Sequence, residues 1–480
     1  MGQIETVRDA LGFEEHYTYD ALGRIVNKTD KEGYVTSFSY TPGGQTKRIG
    51  YDDGTSVEYS YDALKKLKEV KDWLGITTIK RDSLGRAVSV TDHNGDTVSY
   101  EWGSLSEKKA LIYPDGRRAE YEYDDLMRLV RLDVTETDRS TEQPTGNGVI
   151  SSRTEGATLA SILYTYDTEG RLKEKKYRDG LKTVWHYNDD GLPEELIHED
   201  KEGILDKYTY SYDVMGNKTG IIKERRGLNE ESGSYSYGYD ELNRLTGVSK
   251  DGELIREYSF DAFSNRSVLT DHGRGTRTIY HYNALNQLTD EHTEAIASAD
   301  KEIEAAVGFN RISGIKRDVP NNAGYTIDKV YKYDKRGNLI REMRGEALIH
   351  GYEYGAINRL TRSWNDENEE AGYIYNGLGH RVGRETAKSN LKGTSNIIKQ
   401  TYLIDMLRPY HNLLNLTDRS GNRTQDFIYD GNVAGSIGGA CDPVHFYMQD
   451  ELGSPVRVTK DSEEYIPDEE RYLTYGYDEY

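Results

Sequence analysis

Tyr17-Thr18-Tyr19-Asp20-Ala21-Leu22-Gly23-Arg24-Ile25 is the stretch on which the reading of this chain turns. Two aromatic residues stand at i and i+2, followed by an Asp, a Gly three places on, an Arg and an apolar residue. Residues i and i+2 of a strand share a face, so the pair predicts a strand with both rings on one side. Asp opens a turn by accepting hydrogen bonds from the backbone N–H groups that follow it, and Gly supplies the positive φ at its end. The nine residues spell the end of one strand, a tight turn and the start of the next.

The unit recurs along the chain. Aligned on the residue after the second aromatic, copies fall at Asp20, Thr41, Asp62, Asp82, Gly103, Asp124, Asp167, Asn188, Asp213, Asp240, Asp261, Asn283, Asp334, Gly355 and Asn376, mostly 20 to 22 residues apart. Well-kept examples are Tyr121, Tyr123 and Asp124; Tyr164, Tyr166, Asp167, Gly170 and Arg171; and Tyr331, Tyr333, Asp334 and Gly337. A second turn signal follows about ten residues later, as in Asp30-Lys31-Glu32-Gly33 and Pro114-Asp115-Gly116. Two turns per period leave two strands of roughly seven residues, a β-hairpin. The fold class is therefore all-β, built from repeated hairpins. Fifteen hairpins make about thirty strands, a sheet on the order of 145 Å long at ~4.8 Å per strand. Open sheets rarely exceed ~10 strands without curling, so the hairpins are expected to coil into a spiral. A narrow solid solenoid would stack Val, Ile and Leu inside. Tyr at those positions predicts a wide, hydrated interior instead.

Composition agrees with a wall. Among 480 residues there are 40 Tyr but 7 Phe, and Tyr combines an apolar ring with a polar tip. Mean hydropathy is −0.82, yet this aromatic content separates the chain from disordered ones. The formal charge of −21 argues against a phosphate-backbone partner. Cys441 is the only cysteine, so no intrachain disulfide exists. No run of 18 apolar residues is present to span a membrane as a helix.

The organisation expected is hairpin repeats over 1–132, an extended loop or degraded repeat over 133–160, and repeats again over 161–290. An insertion over 291–328 carries a candidate short helix at Thr293–Ala306. Repeats and a polar, loop-like stretch from Arg384 to Gln400 fill 329–400. Degenerate repeats, with traces at Asp405 and Asp430, fill 401–480, which breaks off partway through another copy.

Sites of chemistry are sparse. The repeated Asp and Asn residues could form a cation or carbohydrate ladder, but turn capping accounts for them. Asp92-His93-Asn94-Gly95-Asp96 begins like a calcium loop, yet the sixth and twelfth places hold Thr97 and Gly103 rather than Gly and Glu. Ala434-Gly435-Ser436-Ile437-Gly438-Gly439 lacks the first Gly of a nucleophile elbow. The His residues are scattered, and His186 and His281 sit between aromatics, facing away from the rings. No catalytic residue, metal site or cofactor site is expected. The Tyr ladder could stack sugars, which keeps a cell-surface adhesion or carbohydrate-binding module as the alternative reading.

The Tyr-x-Tyr-Asp-x-x-Gly-Arg unit resembles the YD repeat of Rhs proteins, of toxin-complex B and C components and of the teneurin shell. A separate stretch, Phe446 to Thr459, contains Asp450, Leu452, Gly453, Ser454 and Arg457 and is similar to the Asp-x-Leu-Gly-Ser-x-x-Arg signature that opens the Rhs-associated core. The tail Tyr475-Gly476-Tyr477-Asp478-Glu479 looks like the motif that follows that signature. The resemblance implies a hollow shell that encapsulates and helps deliver a C-terminal toxin, secreted or at the bacterial cell surface as part of a larger protein. It makes that toxin the partner, with cell-surface glycans and secretion machinery as further candidates. It places any self-cleaving aspartyl core beyond Tyr480, because the only Asp-Pro, Asp442-Pro443, precedes the signature. The chain itself is then a structural element and not an enzyme.

Overall fold

The computed structural model describes residues 2–136, 156–296, 326–389, 395–407, 412–438 and 444–460. Among them are 37 strands, from β1 (Thr6–Arg8) to β37 (Pro455–Lys460). Each pairs antiparallel with its neighbours in sequence, so the whole is one continuous meander. In such a meander successive turns alternate between the two rims. The Asp-x-x-Gly turns of the motif line one rim, and the second turns line the other.

The motif turns carry a repeated irregularity. The register shifts just before the Asp, between Thr18 and Tyr19, Glu122 and Tyr123, Thr165 and Tyr166, and Lys332 and Tyr333. The last turn residue has positive φ, 80° at Gly23 and 85° at Gly170. Lys65, Met127 and Asn243 take the same conformation where Gly is missing. Each bulge bends the strand and adds twist, so one per repeat curls the sheet systematically.

The curl brings distant rims together. Trp73 Nε1 donates to the Tyr375 carbonyl at 2.9 Å, and the Gly377 N–H donates to the Asp72 carboxylate. The Lys335 N–H donates to Glu32 Oε1 at 2.6 Å, and Arg336 lies 4.9 Å from the Tyr34 ring centre. From β3 (Ile25–Thr29) to β26 (Thr326–Tyr333) is 23 strand steps. At ~4.8 Å each, one turn of the spiral is about 110 Å around and ~35 Å across.

Beyond β32 (Ser395–Asp405) the chain leaves this rim-to-rim stack and lies across the Tyr face of earlier strands. Tyr100 donates to Asp405, Tyr121 to the Tyr429 carbonyl and Tyr164 to Asp430, and Asp206 pairs with Arg457. Arg457 of β37 meets β18 (Gly203–Tyr212), an offset of 19 strands rather than 23. Fewer strands per turn means a shorter path, so the last strands form an inner layer and the Tyr face is the concave one. Val90, Val98, Leu111, Leu132 and Ile162 of the outer layer bury against Ile428, Phe446 and Met448 of the inner one.

Five expectations change. The interior is not uniformly hydrated: Tyr100, Tyr121 and Tyr164 are only 3 to 6% exposed in a dry two-layer core, because the chain's own end covers them. Tyr17, Tyr237, Tyr258, Tyr331, Tyr352 and Tyr373, which the inner layer does not reach, stay half-buried. The loop expected at Arg384–Gln400 is mostly a long hairpin, Arg381–Ser389 with Ser395–Asp405. Ile397 and Ile398 are both exposed, so both faces meet water there, while Val382, Tyr402 and Ile404 at the base are buried together. Thr293–Ala295 of the candidate helix belong to a strand, Leu288–Ala295, paired with β26, and 297–306 lie outside the described residues. Past residue 401 the hairpins persist: Asp418, Asp430 and Asp450 cap turns as Asp20 does. Thr158–Ala160 form strand with Leu129–Thr135, while 137–155 lie outside the described residues.

Candidate functional site

Each residue of the repeated motif has a defined contact. Asp20 Oδ1 accepts the N–H groups of Leu22 at 2.9 Å and Arg24 at 3.0 Å, and Oδ2 accepts Arg24 Nε at 2.7 Å. The backbone and then the guanidinium of Arg24 hold this carboxyl below its usual range. Asp124 does the same with Leu126 and Arg128, and Asp167 with Arg171. At Asp334 an Asn, Asn338, replaces the Arg, and Gly337 has φ 93°.

The Arg has a second task. Arg24 lies 4.4 Å from the ring centre of Tyr40, Arg128 4.5 Å from Tyr166 and Arg171 4.5 Å from Tyr187, each ring belonging to the next repeat. Those rings donate back across the same junction. Tyr40 reaches the Ile25 carbonyl at 2.6 Å, Tyr166 that of Leu129 at 2.8 Å, and Tyr187 that of Leu172 at 2.8 Å. Tyr19 and Tyr333 bond Ile4 and Leu288 in the same way, and Trp102 reaches Ala87 with its indole N–H at 2.7 Å. Tyr123 packs against the two-layer core. The second aromatic is thus a rivet between hairpins. Sequence reasoning took both rings for plain wall, although the constant period was a signal that one repeat addresses the next.

Where the inner layer reaches it, the first aromatic of the pair serves that layer. Tyr100 donates to Asp405 Oδ1 at 2.7 Å, Tyr164 to Asp430 Oδ2 at 2.8 Å, and Tyr210 to Glu451 Oε2 at 2.6 Å. Three acidic turns of the C-terminal strands therefore sit on three alternate stations of the ring ladder, with Tyr121 and Trp185 at the stations between. Burial, and then the facing carboxylate, pushes each of these phenols far above its ordinary range. Lys175 joins Asp430 at 2.9 Å. Burial alone would raise the Asp430 carboxyl; the Lys175 ammonium reverses this and leaves it lowered.

The signature residues form the fastening of this layer. Asp450 Oδ1 accepts the N–H groups of Leu452 at 2.9 Å and Ser454 at 2.8 Å, and Gly453 has φ 86°. That turn aims Glu451 at Tyr210 and Lys218 while Leu452 stays exposed. Arg457 grips Asp206 with two hydrogen bonds, Nε and one terminal nitrogen each 2.7 Å from a carboxylate oxygen. Their side chains are 1% and 0% exposed. Arg225 adds a third bond to Asp206 at 3.1 Å and donates to the Val456 carbonyl at 2.9 Å. Burial would raise Asp206, and the Arg457 contacts lower it instead.

Beside this pair lies His198, fully buried, its Nδ1 2.9 Å from Thr183 Oγ1. Among the described residues its Nε2 and the Tyr208 hydroxyl have no hydrogen-bond partner, and burial holds the imidazole down to about 4. Asp206, Arg225 and His198 were not foreseen. The available signal was a charge, Asp206, in phase with Tyr208 and Tyr210 on the ring-bearing face of one strand.

The remaining candidates resolve as structure. Asp92 caps its turn through the N–H groups of Asn94 and Asp96. Ser436 lies in the strand Val433–Gly438, buried, where Gln425 and Tyr447 bond it. His186 is exposed beside buried Trp185, and His281 pairs with Asp290 away from the rings. Among the described residues no group of three or more His, Cys, Asp or Glu is arranged to hold a metal. None of their helices is long and apolar enough to cross a membrane. Cys441, Asp442-Pro443 and the 475–480 tail lie outside the described residues.

The geometry defines a class: a spiral wall of β-hairpins whose C-terminal end is fastened to its own inner face. No family model matches the chain. The crystal structure of TcdB2-TccC3-TEV superposes with a TM-score of 0.61 at 13% identity, over 95% of this chain and 23% of that one. This likeness extends to the fold. Double-stranded DNA deaminase toxin A of Burkholderia cenocepacia (strain H111) is 23% identical over 489 aligned residues, 82% of this chain and 34% of the relative. The tRNA nuclease WapA of Bacillus subtilis (strain 168) is 31% identical over 143 residues, 27% of this chain and 6% of the relative. The chain therefore spans about a third of the first relative and a small part of the second.

Proposed function

We propose that this chain is a wall segment of an Rhs-type, YD-repeat toxin polypeptide, and that the wall confines a toxic C-terminal segment until it is delivered. The observation that carries the reading is the fastening of the acidic turns at Asp405, Asp430 and Glu451 onto the Tyr ladder. It holds the last described strands, up to β37, on the concave side of the wall. A continuous meander suits containment, because every described strand between β1 and β37 has both edges paired. The toxin-named relatives support the association with a toxin. In this reading Asp450, Gly453 and Arg457 are fasteners rather than catalysts. The catalysis that the relatives' names describe belongs to segments beyond the wall.

The test uses the complete polypeptide that contains this chain and whatever follows it. External protease should leave the downstream segment intact while the wall is folded, and digest it once mild denaturant opens the wall. Digestion of that segment at the same rate before and after opening would refute confinement.

A further inference from the structure

The motif rim carries an apolar stripe that containment does not use. The third turn residue is Leu22, Leu84, Leu105, Leu126, Leu242 and Phe263 in six of the motif turns, each between 67 and 78% exposed, with Leu64 and Met215 exposed at two more, while Gly43, Glu169 and Asp190 interrupt the row. Neighbouring turns on one rim are two strands apart, so within the runs Leu64–Leu84–Leu105–Leu126 and Met215–Leu242–Phe263 these side chains recur roughly every 10 Å. Scattered exposed leucines are ordinary, but a regular row along one edge marks an interaction surface.

The same rim shows what covers it. Where the spiral completes a turn, the motif rim of later strands sits on the second-turn rim of earlier ones. There the third turn residue is no longer exposed: the Arg336 side chain is 6% exposed, and Ile357 and Leu378 are half-buried. The contact has a fixed chemistry. Backbone N–H groups of the motif turn, Lys335 and Gly377, donate to carboxylates of the second-turn rim, Glu32 and Asp72. An aromatic of that rim, Tyr34 or Trp73, lies against the motif turn. Among the described residues, the leucine, methionine and phenylalanine turns from Leu22 to Phe263 stay exposed. Acidic second turns also stand exposed further along, at Lys201-Glu202 and Asp366-Glu367.

We infer that the leucine rim is a docking surface for the second-turn rim of another hairpin spiral, and that a second copy of this chain fills it head to tail. The interface continues the internal seam between molecules. Because the two surfaces differ, the contact is heterologous and extends into stacks rather than closing as a symmetric dimer.

Sedimentation velocity of the purified chain across about two decades of concentration tests this. The wild type should sediment progressively faster as concentration rises. The variant Leu22→Asp/Leu84→Asp/Leu126→Asp/Leu242→Asp should need at least about tenfold more protein to reach the same state. These side chains point to solvent, so the far-UV circular dichroism should be unchanged. If the Asp set fails to fold, Leu→Ser at the same positions serves with the same readout. A wild-type chain that stays monomeric throughout, or assembly that survives the substitutions undiminished, overturns the inference.

Discussion

Replacing Arg457 with Met removes one half of a buried ion pair and leaves the other half in place. Asp206 and Arg457 are both essentially inaccessible, so water does not screen the loss. Breaking such a pair from one side costs about 3–5 kcal/mol, because the remaining charge keeps its desolvation penalty. Arg225, still 3.1 Å from Asp206, retains part of the compensation and places the effect near ~3 kcal/mol. The pair joins β37 to the outer layer, so the loss falls on local opening of the inner strands. At ~1.4 kcal/mol per decade, amide hydrogen exchange across Phe446–Val458 should accelerate on the order of a hundredfold. Amides of Glu14–Tyr19 should be unaffected. Adding Asp206→Leu removes both charges and should restore most of the protection. Acceleration below about fivefold, ~1 kcal/mol, would show that the pair does not fasten the layer. A double variant less protected than the single one would contradict the argument from desolvation.

Further consequences can be measured. Tyr187→Phe keeps the ring under Arg171 but leaves the Leu172 carbonyl without its donor; urea unfolding should show a loss of about 1 kcal/mol. Gly377→Ala would bring a Cβ within 2.6 Å of Val57 and 2.8 Å of Asp72, so the seam must part; proteolysis near residue 377 should quicken, with ~1–3 kcal/mol of stability lost. His198 titrates near 6.5 unfolded and about 4 folded, so between those values the unfolded chain binds the extra proton. Stability should therefore fall as pH drops from ~6.5 toward ~4, by up to ~3 kcal/mol, and His198→Gln should flatten that part of the profile in urea titrations at several pH values. The capping carboxylates act in a lower window: Asp20, Asp124 and Asp240 are all held down, first by contacts with Arg24, Arg128 and Arg244. Their contribution is present above the unfolded value of about 4 and is lost only as pH falls through the lower folded values.

The hairpins were legible because their cause is local. Asp20, Gly23 and Arg24 interact within five residues, so period and turn type can be read from the string alone. Coiling followed from strand number, since a meander this long must curl. The two-layer core was not legible. Whether Tyr164 is wet or dry depends on Asp430, 266 residues away, and no local pattern encodes that meeting. The polar part of the hairpin, around Arg384–Glu385 and Ile397–Ile398, was missed for a related reason: with both faces in water there, alternation carries no signal. The signature residues Asp450 and Arg457 were visible through resemblance, but Asp206 gives Arg457 its meaning and had to be found in space.

The meander winds once around and meets itself after 23 strands. The direct measurement is intramolecular cross-linking of Glu32→Cys with Lys335→Cys by a short bis-maleimide, in a Cys441→Ser background at low protein concentration. The two positions lie 303 residues apart in sequence and touch in the structure, the Lys335 N–H standing 2.6 Å from Glu32 Oε1. The account predicts a cross-linked monomer and a peptide joining the two sites. Recovery of only unlinked or intermolecular products, from a chain whose circular dichroism is that of a folded sheet, would contradict it.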